Sequence, residues 1–183
     1  MIYLIRHGQT EWNKIHRLQG ATDIPLNETG RQMAIEAGKK YADIAFSCCY
    51  SSPLARAYET AELFLKNQTT PIVKDKRFRE MNFGPYEGTY GYFTDINHPL
   101  HLLFTTPEKY IPKEGVETFE EMTARVVSGV EDILKTHDVK NENILIAGHG
   151  AMCASIICHY KKIPLCDFWN ALLNNCELYE LEV

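Results

Sequence analysis

The chain has 183 residues, enough for one domain with a hydrophobic core and short for two. Hydrophobic residues make up 45% and charged residues 23%, the balance of a soluble globular protein and not of a disordered one. With 19 basic against 24 acidic side chains the net charge is −5, which argues against a nucleic-acid or anionic-membrane surface and requires any anion site to gather its cations locally.

The opening run Ile2-Tyr3-Leu4-Ile5 has the length of a buried strand and stops abruptly at Arg6-His7-Gly8, where glycine frees the backbone for a turn. A loop continues to about Pro25. Asn27 or Thr29 then caps a helix running to about Tyr41, with Met33, Ala34 and Ala37 on its inner face. A second apolar run, Ile44 to Tyr50, predicts a strand ending in Ser51-Ser52-Pro53, with Ser52 as N-cap and Pro53 as the first helical residue. Leu54, Ala57, Tyr58, Ala61, Phe64 and Leu65 follow at helical spacing, and a short strand is expected near Ile72-Val73.

Residues 85–115 differ in character, being rich in Gly, Pro, Tyr, Phe and His with weak periodicity. Loops of this length are uncommon unless functional, so the segment is expected to form a lid-like excursion within a single domain spanning residues 1–183. Its aromatics Tyr86, Tyr90, Tyr92, Phe93 and Phe104 are expected to form a small satellite core, with a minority facing a ligand. His98 and His101 make an HxxH pattern with no acidic partner at ligand spacing, so no metal is expected there. Thr118 to Glu121 is a capping box opening a helix with Phe119, Met122, Val126, Val130, Ile133 and Leu134 on one stripe, ending near His137.

Ile144-Leu145-Ile146-Ala147 is the clearest buried strand, and it ends in Gly148-His149-Gly150 before a helix from about Ala151 to Tyr160. The alternating tail, residues 177–183, predicts a final edge strand. The six cysteines contain no CxxC and read as small buried hydrophobes of a reducing compartment. Met1 leads directly into the first strand, leaving no room for a signal peptide, and no apolar segment approaches the roughly 20 residues of a membrane span. A cytoplasmic location is expected.

Alternating strand and helix signals predict a three-layer α/β/α sandwich with a mostly parallel sheet and helices on both faces. Parallel strands would bring Arg6-His7-Gly8, Ser51-Ser52-Pro53 and Gly148-His149-Gly150 to one sheet edge, where ligands of open α/β sheets bind. Arg56, about one turn into the second helix, reaches the same place. Two imidazoles, two guanidiniums and helix N-termini make an anion-seeking site. A phosphoryl group fits best, because its transfer depends mainly on positioning and on neutralising spread charge.

Arg6-His7-Gly8-Gln9-Thr10-Glu11-Trp12-Asn13 resembles the signature of the histidine phosphatase superfamily, the phosphoglycerate-mutase-like proteins. The resemblance continues through Gly20 to Leu26, Ser51 to Ala57, Glu80 to Gly88, Gly115 to Phe119 and Gly148-His149-Gly150, and so spans nearly the whole chain. It implies that His7 is a nucleophile forming a phosphohistidine, that Arg6, Arg56 and His149 hold the phosphoryl oxygens with help from Asn13, and that Glu80 is the acid and base. Gln19, Gly20 and Gly150 fall at matching phosphate- or substrate-binding positions, and no cofactor is implied. In this reading His7 is neutral at its attacking nitrogen, while His149 serves best as a cation. Glu87, in a family-like position, is expected to be a structural hydrogen-bonder.

The activity expected is a metal-independent phosphomonoesterase acting on a small soluble ester such as a sugar phosphate or α-ribazole phosphate, in a monomer or homodimer. A cofactor-dependent phosphoglycerate mutase is the alternative. Mutases of the family are usually longer and carry extra basic segments, whereas the excursion here has only Lys109 and Lys113. An inactive phospho-ligand binder is a third reading, opposed by the intact His7, Glu80 and His149. Two departures leave the substrate open: Ala151-Met152-Cys153-Ala154 replaces a second glycine and an arginine, and Tyr86 replaces a commoner tryptophan.

Overall fold

The computed structural model of the chain describes residues 1–182. Its five strands are β1 (Ile2–Arg6), β2 (Cys48–Ser51), β3 (Ile72–Lys74), β4 (Ile144–Gly148) and β5 (Leu178–Leu181), in the sheet order β3-β2-β4-β1-β5. Among the described residues, two short helices, α1 (Glu11–Lys14) and α4 (His101–Thr105), accompany four longer ones. All pairings are parallel except that of β5, which runs antiparallel along β1. The order explains the run Ile144 to Ala147: β4 is the central strand, buried at every residue, and needs apolar side chains on both faces.

Side chains alternate across the sheet and so build a core on each face. Ile2, Leu4, Ile144 and Ile146 point to the side covered by α5 (Phe119–Thr136) and α6 (Gly150–Lys161). Ile5, Cys49, Leu145 and Ala147 point to the side covered by α2 (Glu28–Lys40) and α3 (Ala55–Phe64). The α/β sandwich expected from the alternating pattern is therefore present. α2 starts at Asn27, whose Oδ1 accepts from the Gly30 N–H at 2.8 Å. α5 opens with the reciprocal Thr118–Glu121 capping box, and its predicted stripe faces the sheet. A Cβ on Gly8 would lie 2.4 Å from the Gly30 carbonyl oxygen, so glycine at both positions lets α2 start directly against the turn after β1.

Two local expectations fail. The second strand begins at Cys48 and not at Ile44, because side chains take the backbone groups that a ladder would have used. Gln68 Nε2 donates to the Ile44 carbonyl at 3.0 Å, Gln68 Oε1 accepts from the Phe46 N–H at 3.1 Å, and Thr70 Oγ1 donates to the Phe46 carbonyl at 2.8 Å. Ser52 and Pro53 do not start α3, whose N-cap is Leu54 with no side-chain cap of its own. Instead Asp23 Oδ1, from a distant loop, accepts the Ala55 N–H at 2.8 Å. Ser52 is diverted to His149, and no sequence pattern within the helix records that exchange.

The tail strand occupies Leu178–Leu181, and Val183 lies outside the described residues. All six cysteines are free, five of them buried and Cys166 exposed. Among the described residues, no helix is long and apolar enough to cross a membrane. Both ring nitrogens of His98 are used within the chain, Nε2 with Thr89 Oγ1 at 3.0 Å and Nδ1 accepting from the Leu100 N–H at 3.1 Å, so the HxxH histidine is a turn-former.

Candidate active site

Parallel pairing aligns the strand ends: Arg6 lies opposite Gly148, and Ser51 opposite Ala147. The turns that follow are tied together, with the His7 N–H donating to the Gly148 carbonyl and the Ser52 N–H to the Ala147 carbonyl, both at 2.9 Å. Above them lies a cleft enclosing about 120 Å³, room for a phosphoryl group with the remainder of an ester reaching outward. Arg6, His7, Asn13, Gln19, Gly20, Arg56, Glu80 and Gly150 all line it. His149 does not. It sits fully buried beneath, its ring centroid 5.2 Å from that of His7.

The His7 ring is held by Nδ1, 2.7 Å from the Gly8 carbonyl oxygen. That oxygen can only accept, so Nδ1 carries the proton and Nε2 keeps its lone pair. Burial, then the Arg56 and Arg6 guanidiniums, push the His7 pKa well below the ordinary value of 6.5. Burial lowers His149 in the same way, with Arg56, His7, Arg6 and Arg125 adding to the effect. The expectation of a cationic His149 is therefore corrected: with no anion present both imidazoles are neutral. Desolvation penalises the charged form, and two nearby guanidiniums already supply positive charge.

Arg56 is wholly buried, an uncommon state for an arginine. Its Nη1 donates to the Thr22 carbonyl at 2.8 Å and its Nη2 to the Gly20 carbonyl at 2.7 Å. Arg6 donates from Nη1 to the Leu173 carbonyl at 2.6 Å. Carbonyl dipoles fix both groups in place without cancelling their charge. Arg6 Nε, Arg56 Nε and His149 Nδ1 are buried with no hydrogen-bond partner; among the described residues His101 Nδ1 is the one other such side-chain atom. An unmet buried polar group costs about 1–3 kcal/mol, and the two guanidinium N–H groups at the cleft, with the His149 nitrogen buried beneath it, mark a place suited to an acceptor-rich anion.

Glu80, in the loop that follows the 3-10 turn at Lys76–Phe78, faces this cluster and is bonded to the start of α6. Its Oε1 accepts from the N–H groups of Met81 at 2.9 Å and Met152 at 3.0 Å, and its Oε2 from Ala151 at 3.2 Å. Its backbone is clamped from below. Arg125 on α5 donates to the carbonyls of Arg77, Arg79 and Glu80 at 2.6, 2.8 and 3.1 Å, and is itself paired with Glu117 at 2.5 Å.

Asn13 Oδ1 is occupied by the Thr10 N–H at 3.1 Å, and Gln19 Oε1 accepts from Thr10 Oγ1 at 2.9 Å, which leaves the two amide NH₂ groups free of those bonds. Gly20 adopts φ +62°, and a Cβ there would lie 2.2 Å from Glu87 Oε1. Glu87 is structural, as expected: Oε1 accepts from Ala21 and Phe83 N–H at 2.8 and 3.0 Å, and Oε2 from Thr22 N–H at 2.7 Å. A Cβ on Gly150 would lie 2.8 Å from Leu172 Cδ1.

Several residues at the site were not singled out from the sequence. Trp169 and Leu172 come from the stretch between α6 and β5, which has no clear periodicity and folds as a 3-10 turn over Leu165–Ala171. Asn175 Nδ2 donates to the His7 carbonyl at 2.6 Å. Arg17 also lines the cleft, and its nearness to Gln19 and Gly20 was the available signal. The satellite-core expectation is only partly met, because Tyr92, Phe93 and Phe104 face the cleft, with Phe104 stacked on Trp169 at 4.9 Å.

The depressed histidines make a stability prediction. In the unfolded chain an imidazole titrates near 6.5, so below that pH the unfolded state binds more protons than the native state. The stabilisation is complete above about pH 6.5 and is lost as pH falls toward the lower native values, at up to about 1.4 kcal/mol per pH unit for each histidine. The urea midpoint should fall between pH 7 and pH 5.5, and less steeply in a His7→Gln/His149→Gln double variant. A midpoint rising over that interval would contradict the electrostatics above.

Comparison with known proteins agrees with this geometry. "Putative phosphoserine phosphatase 2" of Hydrogenobacter thermophilus is 36% identical over 188 residues, covering 100% of this chain and 89% of that one. The structure of Bacillus stearothermophilus YhfR superposes with a TM-score of 0.87 at 31% identity, over 99% of this chain and 91% of the other. An Entamoeba histolytica phosphoserine phosphatase in complex with 3-phosphoglyceric acid gives a TM-score of 0.81 at 28% identity, over 97% of this chain and 87% of the other. The model of the histidine phosphatase superfamily (branch 1) matches residues 2–183. The chain belongs to the histidine phosphatase superfamily, branch 1.

Proposed function

We propose that the protein is a phosphomonoesterase that hydrolyses a small phosphate ester through a phosphohistidine at His7. The observation that carries this reading is the set of three unpartnered buried nitrogens, on Arg6, Arg56 and His149, around a neutral His7 with a free Nε2. In the first step Nε2 attacks phosphorus in line, the N–P bond forms, and the bond to the leaving oxygen breaks as Glu80 delivers a proton to that oxygen. Arg6, Arg56 and His149 hold the three equatorial oxygens, with Asn13, Gln19, Gly20 and Gly150 framing the phosphoryl group. In the second step Glu80 takes a proton from water as it attacks phosphorus, and the N–P bond breaks. The leaving-group site is walled by Tyr92, Phe93, Phe104 and Trp169, which suits a small organic ester. Residues 85–115, which supply most of that wall, act as the lid. Guanidiniums and imidazole supply the neutralising charge in this scheme, so turnover is expected to survive exhaustive chelation.

The mutase alternative uses the same first step and differs in the acceptor. Lys109 and Lys113 do not line the cleft, and relatives are named phosphoserine phosphatase; both observations favour hydrolysis. The test is to supply 3-phosphoglycerate with a bisphosphoglycerate primer and follow both products. Phosphate release should exceed 2-phosphoglycerate formation, and the reverse order would make the protein a mutase.

A further inference from the structure

The cleft is lined by three guanidiniums, Arg6, Arg17 and Arg56, against the single carboxylate of Glu80. A phosphoryl dianion accounts for the two that flank His7. Arg17 is left over, and it is held firmly. Its Nε donates to the Gly88 carbonyl at 2.5 Å, and its guanidinium carbon lies 4.4 Å from the Trp12 ring centroid and 5.6 Å from that of Tyr90. Gly88 sits at φ +81°, and a Cβ there would come within 3.3 Å of Arg17 Nη2, so glycine keeps space beside the fork. Among the described residues Arg17 has no acidic partner, whereas Arg31, Arg77 and Arg125 each pair with a carboxylate. With Nε engaged, the two Nη groups remain as an end-on pair of parallel donors, the geometry that matches a carboxylate bidentately.

We infer that the leaving group of the substrate carries a second anion, a carboxylate, and that Arg17 binds it at the outer end of the cleft. The assignment rests on the phosphatase reading for the position of the phosphoryl group. It narrows the substrate from any small ester to a phosphorylated hydroxy acid. Sugar monophosphates with no acid group would then be poor substrates. Trp12 and Tyr90 act here as positioning residues that hold the guanidinium flat.

The test separates binding from turnover. Titration calorimetry with phosphonoacetate and ethylphosphonate, two non-hydrolysable probes differing in one carboxylate, should show phosphonoacetate bound about 10- to 100-fold more tightly. Arg17→Met should erase most of that difference, while Arg17→Lys, which keeps the charge and loses the fork, should retain part of it. Kinetics with phosphoglycolate and ethyl phosphate should show the same contrast, mainly in KM. Equal affinity of the wild-type protein for the two probes overturns the inference. So does an Arg17→Met variant that weakens both probes by the same factor, the mark of a merely structural arginine. Tighter binding of ethane-1,2-bisphosphonate than of phosphonoacetate would replace the carboxylate by a second phosphoryl group. Retained carboxylate preference without turnover of any ester would uphold Arg17 and overturn the phosphatase reading.

Discussion

Replacing His7 with alanine is expected to reduce phosphate release by about 10⁴- to 10⁶-fold, the range for removal of a catalytic nucleophile that works within an organised site. The loss should fall on kcat, because Arg6 and Arg56 are anchored to carbonyls of Leu173, Gly20 and Thr22 and do not depend on the imidazole for position. The variant should also fold. The backbone bond from residue 7 to the Gly148 carbonyl persists, and the side-chain bond given up leaves one carbonyl, Gly8, without its partner, at about 1–3 kcal/mol. Acid-labile radiolabel carried on the wild-type protein after mixing with labelled ester should be missing from the variant. Hydrolysis by His7→Ala within tenfold of wild type would end the covalent scheme.

Glu80→Gln should lower kcat by about 10²- to 10⁴-fold, the worth of a positioned proton donor and acceptor. The backbone clamp from Arg125 is untouched, and the remaining amide oxygen can still accept from Met81 and Met152. The new NH₂ faces the Ala151 N–H in place of Oε2, so a modest stability loss accompanies the change. Affinity for inorganic phosphate should change little. The diagnostic is the leaving group. With p-nitrophenyl phosphate the first step needs little acid help, while the second still needs a base, so phosphoenzyme should accumulate in a burst. A variant with wild-type turnover of alkyl esters would remove Glu80 from the chemistry.

The contrast between these two residues and their surroundings shows what was legible from the chain. His7 and His149 follow apolar runs that had to be strands, and parallel pairing then forced both turns to one edge. Arg56 was legible because it follows the Ser51-Ser52-Pro53 turn closely enough to stay at the same edge, although the fold places it in the first turn of α3 and not one turn further in. The protonation of His149 was not, since it depends on which cations the fold packs around it. Ser52 reads locally as a cap, yet its hydroxyl lies 2.8 Å from His149 Nε2, while a loop aspartate caps α3. Arg17 takes its place at the cleft only when Trp12, Gly88 and Tyr90 are brought around it.

The α/β class, the family and the residues gathered at the sheet edge could be read from the chain alone. These follow from short-range properties: apolar runs of strand length, helical periodicity, and polar turns that a parallel sheet must collect at one edge. The neutral state of the buried histidines, the three orphaned nitrogens, the clamp beneath Glu80 and the aromatic and cationic outer wall exist only once the chain is folded. Each of these depends on desolvation or on contacts between residues far apart in the chain. Neither quantity is a property of any local stretch, which is why the residues at the sheet edge could be read early and their protonation and the outer wall of the cleft could not.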